Sequence, residues 1–339
     1  MFTSACPGWI RYAERVLGSL VTPHICTSKS PQQIMGSLVK DYFTKQQKLS
    51  PDKVYHVVVA PCFDKKLEAL REEFYNSLLE SQDVDCVVTS GEIMLMMEEQ
   101  KVSIESLDSI PLDHVQIRPA VLYITKLPKN CHFPQLFLVL IIQVCFCQDT
   151  RFGETEEVDI VRHEGRGAEG FLEHIFKYAA KELFGLDVEE IVYKTLKNRD
   201  FQEVTLEKDG ETLLQFAAVY GFRNIQNMIQ KLKKGKFPYQ LVEVLSCPGG
   251  KSFKPKVSKS CLNGKGQAQL ESGKPDRALL QQMEEVYTSL PMRLPETSPQ
   301  VHRLYQDWLE GADSPRARQV LHTQYRPENQ AASSPDYKW

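Results

Sequence analysis

The sequence predicts an α/β fold in which parallel strands are covered by helices. The first observation is Val54–Ala60 (VYHVVVA), a β-branched run of strand length that is almost continuously apolar, as is typical of a parallel strand buried on both faces. The second is that helical patterns follow strand-like runs. Residues 65–79 follow the first run, and Ser90–Glu99 follows the strand-like Asp83–Thr89. A strand followed by a helix, repeated along the chain, indicates a parallel sheet.

The remaining elements continue this alternation. Ser30 and Pro31 combine a capping hydroxyl with a proline at the first helical position, which predicts a helix to about Gln47. Strands are predicted over 191–196, 201–206, 213–219 and 239–245, together with a helix over Phe171–Phe184 and another that begins after Asn224 and runs to Lys234. Amphipathic patterns over 276–290, 298–311 and 316–323 predict a C-terminal helical segment.

Composition excludes several classes of protein. The 339-residue chain is 42% hydrophobic and 25% charged, with a formal net charge of −3, which is ordinary for a globular protein. That charge gives no overall field to attract nucleic acid or an anionic membrane, so neither is a predicted partner. Neither a basic nor an apolar leader segment follows Met1, so we expect no secretory signal and reduced thiols. Cys26 and Cys86 are interpreted as small buried side chains.

Residues 114–150 interrupt the strand and helix pattern. The stretch 136–147 (LFLVLIIQVCFC) is apolar for 12 residues, fewer than the roughly twenty that a membrane helix needs. Three alternatives remain open for it. It is a buried strand, a core helix, or an inserted apolar segment that is foreign to the fold.

Four of the nine cysteines lie where a metal centre is expected. Cys62 and Cys247 each follow a predicted strand, and ligands of parallel sheets bind at the carboxyl ends of strands. Cys6 lies in a segment that contains Pro and Gly, and Cys261 lies in a turn-rich segment. Four thiolates from separate loops suit a cubane iron–sulfur cluster, although zinc competes for the same ligands.

Several motifs follow one another along the chain. They are Cys6-Pro-Gly-Trp, Ser30-Pro-Gln-Gln, Pro61-Cys-Phe-Asp-Lys-Lys-Leu-Glu-Ala, Gly221-Phe-Arg-Asn-Ile-Gln-Asn and the pair Cys247 and Cys261. In sequence and in order these motifs resemble those of the iron-only hydrogenase-like proteins, and the resemblance covers nearly the whole chain apart from about 114–150 and 251–260. The resemblance implies a large-subunit-like α/β part with an incomplete first lobe, followed by a small-subunit-like helical segment at 276–323. It also implies that Cys6, Cys62, Cys247 and Cys261 ligate a 4Fe–4S cluster.

The resemblance also bears on activity. In true iron-only hydrogenases two adjacent cysteines stand in the first motif, and the first of them relays protons. This chain has Ala5 at that position, and a methyl group cannot take or give a proton. The resemblance therefore implies a non-enzymatic factor that passes iron–sulfur clusters to target apoproteins in the cytoplasm and the nucleus, with no small-molecule substrate.

Two predictions concern partners. The resemblance implies that the cytosolic iron–sulfur targeting complex binds the chain, with the terminal Trp339 as a docking residue. The alternative is a cluster-free interaction module that keeps only the C-terminal helices and Trp339 as its binding surface.

Three features depart from the family pattern. An N-terminal region with a further set of cysteines and the first strands of one lobe is expected to be missing, and 114–150 replaces a short polar loop. Residues 251–260 separate Gly250 from Cys261. Closing such a loop costs on the order of 1–2 kcal/mol, so Cys261 is still expected to ligate. The predicted organisation has hydrogenase-like parts at 1–113 and 151–267, an insert at 114–150, a helical segment at 276–323 and a tail at 324–339.

Overall fold

The computed structural model describes residues 1–60, 62–103, 138–143, 171–247, 289–292 and 294–327. The strands are β1 (Phe2–Thr3), β2 (Val54–Ala60), β3 (Tyr75–Asn76), β4 (Ser81–Gln82), β5 (Cys86–Thr89), β6 (Leu138–Gln143), β7 (Lys194–Thr195), β8 (Phe201–Lys208), β9 (Glu211–Tyr220) and β10 (Leu241–Leu245). The helices are α1 (Pro7–Tyr12), α2 (Pro31–Ser37), α3 (Thr44–Gln47), α4 (Asp64–Ala69), α5 (Ser90–Glu99), α6 (Phe171–Phe184), α7 (Phe222–Lys233), α8 (Pro299–Asp307) and α9 (Pro315–Leu321).

The chain divides into two compact units, each built from separate stretches of sequence. The five-stranded unit comprises 1–28, 165–252 and 323–339, and the three-stranded unit comprises 29–164 and 253–322. Most of the predicted segment boundaries lie outside the described residues, so the predicted organisation stays a prediction.

The sheet of the five-stranded unit has the order β1-β10-β9-β8-β7. Strands β10 and β9, both predicted from the sequence, are parallel, and β1, which was not predicted, pairs parallel with β10. Strands β8 and β7 are antiparallel additions. The turn between β8 and β9 is Asp209-Gly210, and both residues have positive φ, 52° and 82°. An Asp-Gly pair in this conformation is the favoured two-residue hairpin turn. The predicted α/β class is confirmed, with a mixed rather than wholly parallel sheet.

One large apolar core stabilises the five-stranded unit. Strands β9 and β10 contribute runs of buried side chains, and α1, α6 and α7 pack against them. Its largest fully buried apolar members are Phe2, Trp9, Leu172, Phe176, Phe201, Ile225, Met228 and Leu245. Glu243 is the exception inside β10, and its carboxylate accepts hydrogen bonds from the Leu172 backbone at 2.9 Å and the Tyr220 hydroxyl at 3.3 Å.

The sheet of the three-stranded unit has the order β5-β2-β6, and both pairings are parallel. Strand β2 has the bounds that the sequence predicts. The apolar stretch 136–147 contributes β6, which pairs with β2 from Val54↔Leu138 to Val59↔Gln143. The stretch therefore contains a strand rather than a helix at 138–143, while the rest of 114–150 lies outside the described residues.

Above this sheet, α2 and α3 are joined by a π-helical turn over Leu38–Phe43, so the helix runs from Pro31 to Gln47 as predicted. Ser30 caps it, because its hydroxyl accepts the Gln33 backbone N–H. The buried ammonium of Lys40 lies 2.7 Å from the Asp85 carboxylate. A second ion pair joins Lys29 to Asp83 at 2.9 Å.

The predicted helix over 65–79 is confirmed only as far as Ala69. Helix α4 ends at Ala69, and β3 and β4 form a short antiparallel hairpin beyond it. The side-chain oxygen of Asn76 accepts the backbone N–H groups of Leu78 and Leu79, at 3.0 and 3.2 Å. An Asn side chain that bonds nearby backbone in this way offers an alternative to the helical hydrogen bonds.

Two of the three predicted C-terminal helices are present as α8 and α9, whereas the helix predicted over 276–290 lies almost wholly outside the described residues. Helices α8 and α9 pack on the π-helical turn through Leu38, Trp308, Leu309 and Ala317. Asp41 anchors this contact by accepting Trp308 Nε1 at 2.7 Å and the Arg316 guanidinium at 2.8 Å. None of the helices in the described ranges is both long and apolar enough to cross a bilayer.

Candidate metal centre

Two of the four predicted ligands follow neighbouring parallel strands of the five-stranded unit. Strand β1 pairs with β10 in the register Thr3↔Glu243. Cys6 follows β1 by three residues and Cys247 follows β10 by two. Because parallel strands end at the same sheet edge, the pairing brings the two cysteine segments to one edge.

Ser4 connects these two segments through hydrogen bonds. Its hydroxyl donates to the carbonyl of Val244 at 2.5 Å and accepts the backbone N–H of Cys6 at 3.0 Å. Cys6 is the N-cap residue of α1, and its carbonyl accepts the Ile10 N–H at 3.2 Å. Cys6 is 1% exposed, whereas Cys247 is half-buried. Sequence reasoning missed Ser4, because nothing local indicates a partner 240 residues away.

Cys62 lies in the three-stranded unit, two residues beyond the carboxyl end of β2, as predicted. It is 5% exposed, and its carbonyl accepts the Lys65 N–H at the start of α4. The Gln32 side chain donates to the Lys65 carbonyl at 3.2 Å. The Ser30-Pro-Gln-Gln motif therefore contacts the turn that follows Cys62.

The other two predicted site residues, Cys261 and Trp339, lie outside the described residues. Within the described ranges no three His, Cys, Asp or Glu side chains form a group that could hold a metal. The five described cysteines are thiols rather than disulfides. Of these, Cys26 and Cys86 are half-buried, and burial raises the pKa of the Cys86 thiol. A thiol held protonated in this way is a poor metal ligand.

Polar atoms near the cysteine pair bear on whether an iron–sulfur cluster fits. Trp9 Nε1 and Ser246 Oγ are both buried and have no hydrogen-bond partner among the described residues. Trp9 follows Cys6 by one helical turn, and Ser246 immediately precedes Cys247. Buried donors almost always have an acceptor. The inorganic sulfides and thiolates of a cluster accept hydrogen bonds, so the residues present fit such a group.

Two family models match the chain. The model described as "Iron only hydrogenase large subunit, C-terminal domain" matches residues 1–125 and 134–250. The model described as "Iron hydrogenase small subunit" matches residues 276–328. Cys6, Cys62 and Cys247 fall inside the first match, while Cys261 falls between the two matches.

Named relatives and solved structures agree with this assignment. The chain is 61% identical to the nuclear prelamin A recognition factor of Danio rerio and covers 64% of that longer protein. It is 49% identical to the cytosolic Fe-S cluster assembly factor narfl of the same fish, and covers 71% of it. An apo FeFe-hydrogenase from Chlamydomonas reinhardtii superposes with a TM-score of 0.68 at 20% identity, over 96% of this chain and 76% of that one. This last likeness concerns the fold alone.

The first family model covers more than half of the chain, and the named relatives align along its entire length. The chain therefore belongs to the family of the iron-only hydrogenase large subunit, C-terminal domain.

Proposed function

We propose that the chain is a non-enzymatic iron–sulfur assembly factor that holds a 4Fe–4S cluster through Cys6, Cys62, Cys247 and Cys261. The observation that carries the proposal is the placement of Cys6 and Cys247 at the ends of neighbouring parallel strands, bridged by Ser4. Names among the relatives support the role, since two of them are called a cytosolic Fe-S cluster assembly factor and a cytosolic iron-sulfur assembly component.

The chain's own residues would hold and position the cluster. Cys6 and Cys247 supply two thiolates, and the Ser4 hydroxyl fixes the Cys6 backbone against β10. Cys62 supplies a third thiolate from the end of β2, and Cys261 a fourth. When bound, the cluster supplies one-electron redox chemistry or a transferable iron–sulfur unit.

Hydrogenase activity is not part of the proposal, and Ala5 is the reason. Ala5 directly precedes Cys6 and is buried, and the resemblance implies that a proton-relaying cysteine stands at this position in true hydrogenases. An alanine side chain carries no transferable proton. The proposed task is therefore to pass clusters to target apoproteins or to present those apoproteins to the assembly machinery.

The proposed partners are proteins of the cytosolic iron–sulfur targeting complex, with Trp339 as the docking residue. A cytoplasmic location, and a nuclear one, are proposed on the relatives' names, which include both "cytosolic" and "nuclear". The chain covers 64% of the length of several of these relatives, so their partners are carried over as proposals only.

Anaerobic reconstitution with iron and sulfide tests the cluster. We expect a brown protein that carries about four irons and four sulfides per chain. Cys6→Ser and Cys247→Ser should each remove most of the bound iron, as should Cys62→Ser. Cys26→Ser is the matched control and should leave iron content unchanged, because Cys26 is a described thiol outside the proposed set. One equivalent of zinc and no iron would contradict the proposal.

A second candidate is a cluster-free interaction module, for which prelamin A is the partner that the relatives' name suggests. The observation in its favour is that α8 and α9 fold onto Leu38 and Asp41 through an apolar cluster and two hydrogen bonds to which Cys6, Cys62 and Cys247, the described cysteines of the set, do not belong. Binding of prelamin A that survives Cys6→Ser and Cys247→Ser but not deletion of Trp339 would favour this function.

A further inference from the structure

We propose that the Trp9 indole N–H and the Ser246 hydroxyl donate hydrogen bonds to sulfur atoms of the bound cluster and raise its reduction potential. This inference rests on the proposed function, because it requires a cluster held by Cys6 and Cys247. It assigns a role to two residues outside the ligand set.

The position of Trp9 carries the first half of the inference. Cys6 is the N-cap of α1 and Trp9 is the third residue of that helix, and the side chains of both belong to the same buried cluster. Its ring is fully buried and is held against Phe2 and Tyr12, with centroids 6.0 and 6.4 Å apart. A buried indole whose N–H has no partner among the described residues is a donor that still requires an acceptor.

Trp308 provides a comparison, because its indole N–H has an acceptor inside the fold. It is nearly as buried as Trp9, yet its Nε1 donates to the Asp41 carboxylate at 2.7 Å. Of these two tryptophans, Trp9 is the one whose indole N–H has no acceptor among the described residues.

The Ser246 hydroxyl is the second proposed donor. Its hydroxyl is buried without a partner among the described residues, and it precedes Cys247 directly. Ser4, which precedes Cys6 by two residues, has both a donor and an acceptor for its hydroxyl. Of the two serines beside the cysteine pair, one therefore positions backbone and the other is left with an unused donor.

The chemistry of a cluster explains the consequence. Reduction adds negative charge that is spread over the sulfurs, and hydrogen bonds to sulfur favour the more negative state. Removing a donor should therefore shift the midpoint potential of the cluster to a more negative value. A tenfold loss in the reduction equilibrium corresponds to about 59 mV for a one-electron couple.

Redox titration of the anaerobically reconstituted full chain tests the inference. We expect Trp9→Phe and Ser246→Ala each to move the potential negative by about one such tenfold step, with iron and sulfide content unchanged. Trp308→Phe is the matched control and should leave the potential unaltered, because its N–H already donates to Asp41.

A spectroscopic measurement keeps the inference testable if Trp9→Phe does not fold. The chain has three tryptophans, so indole-15N labelling of a Trp308→Phe, Trp339→Phe chain labels Trp9 alone. Pulsed electron–nuclear resonance of the reduced cluster should then show a 15N coupling and an exchangeable deuteron. Absence of both, or unaltered potentials in iron-replete variants, would overturn this inference and leave the proposed function standing. A chain that binds no iron would overturn both.

Discussion

The two units stabilise similar parallel strands by different means. In the five-stranded unit, β9 and β10 are covered by one continuous apolar core, and the buried acids Glu173, Glu203 and Glu243 accept hydrogen bonds from tyrosine hydroxyls. In the three-stranded unit the apolar cluster around β2 is small, and buried charges lie beside it. Lys40 pairs with Asp85 and Lys29 with Asp83 at that sheet.

The difference teaches how each unit should respond to change. An apolar core loses stability in proportion to the volume that is removed from it. A buried ion pair contributes little net stability, but an ion left without its partner is strongly destabilising. The five-stranded unit should therefore be sensitive to size, and the three-stranded unit to charge and pH.

The largest expected effect is at the Lys40–Asp85 pair. The side chain of Lys40 is 2% exposed, so Asp85→Ala leaves a buried cation without its carboxylate. We expect a loss of about 3–5 kcal/mol in the free energy of unfolding. Urea denaturation, with hydrogen exchange read on peptides from β2 and β5, measures this loss.

The matched control replaces both partners. Because an apolar pair of similar volume avoids the desolvation of two ions, Lys40→Met with Asp85→Leu should restore the part of the loss that comes from the unpaired charge. The part that comes from the His56 backbone N–H, which Asp85 accepts at 2.6 Å, should remain. Equal destabilisation in the single and the double variant would mean that apolar packing, rather than charge, governs this unit as well.

In the five-stranded unit the corresponding test is one of size. Ile225 is fully buried on α7, so Ile225→Ala should lower the free energy of unfolding by about 2–5 kcal/mol. Leu183 on α6 is 68% exposed, and Leu183→Ala serves as the control with little expected change. Hydrogen exchange on peptides from β9 and β10 separates the two outcomes, and equal protection in both variants would contradict a size-sensitive core.

The third prediction concerns pH. Burial, helped by the charge of Lys40, lowers the pKa of His56 from 6.5 to about 4, against a hydrogen bond to the Asp83 carbonyl and the charge of Asp85. The unfolded chain therefore binds a proton between pH 6.5 and 4 that the folded chain does not. Stability from this group is complete above pH 6.5 and falls by about 3 kcal/mol as the pH is lowered to 4.

His56→Asn isolates this contribution. The Asn amide can replace the His56 Nδ1 that lies 2.8 Å from the Asp83 carbonyl, but it does not titrate. The variant should lose most of the pH dependence of unfolding between pH 4 and 6.5. Parallel pH profiles for the two chains would show that His56 does not distinguish the three-stranded unit.

Local patterns predicted much of the fold. The bounds of β2, α5 and α6 agree with the apolar runs and capping residues that predicted them. The hairpin at Asp209-Gly210 was missed although its turn dipeptide is visible in the sequence, because β8 and β9 were interpreted as separate strands. The helix predicted to reach 79 was wrong because the Asn76 side chain competes for the backbone.

The candidate site was only partly predictable. A strand end is a local feature, so the positions of Cys62 and Cys247 could be expected from the sequence. The pairing of β1 with β10 joins residues about 240 apart, and no local pattern indicates it. The missing acceptors of the Trp9 and Ser246 donors could not be predicted for the same reason, since a missing partner is a property of the packed structure. The burial of Lys40 against Asp85 was likewise not predictable from a local pattern.

The smallest expected effect compares two helical glycines of the three-stranded unit. A methyl group on Gly36 would lie 2.4 Å from the backbone carbonyl oxygen of Asp83, whereas one on Gly91 meets nothing within 4 Å. Gly36→Ala must displace the helix from the residue that pairs with Lys29, so we expect a loss of about 1–3 kcal/mol in the free energy of unfolding. Gly91→Ala should instead raise it by up to about 1 kcal/mol, because alanine favours the helical backbone.

Opposite signs in urea denaturation would show that close packing against Asp83 positions its buried carboxylate. A neutral Gly36→Ala would show that the ion pair tolerates displacement of its helix, and that the three-stranded unit depends less on exact charge placement than the comparison requires.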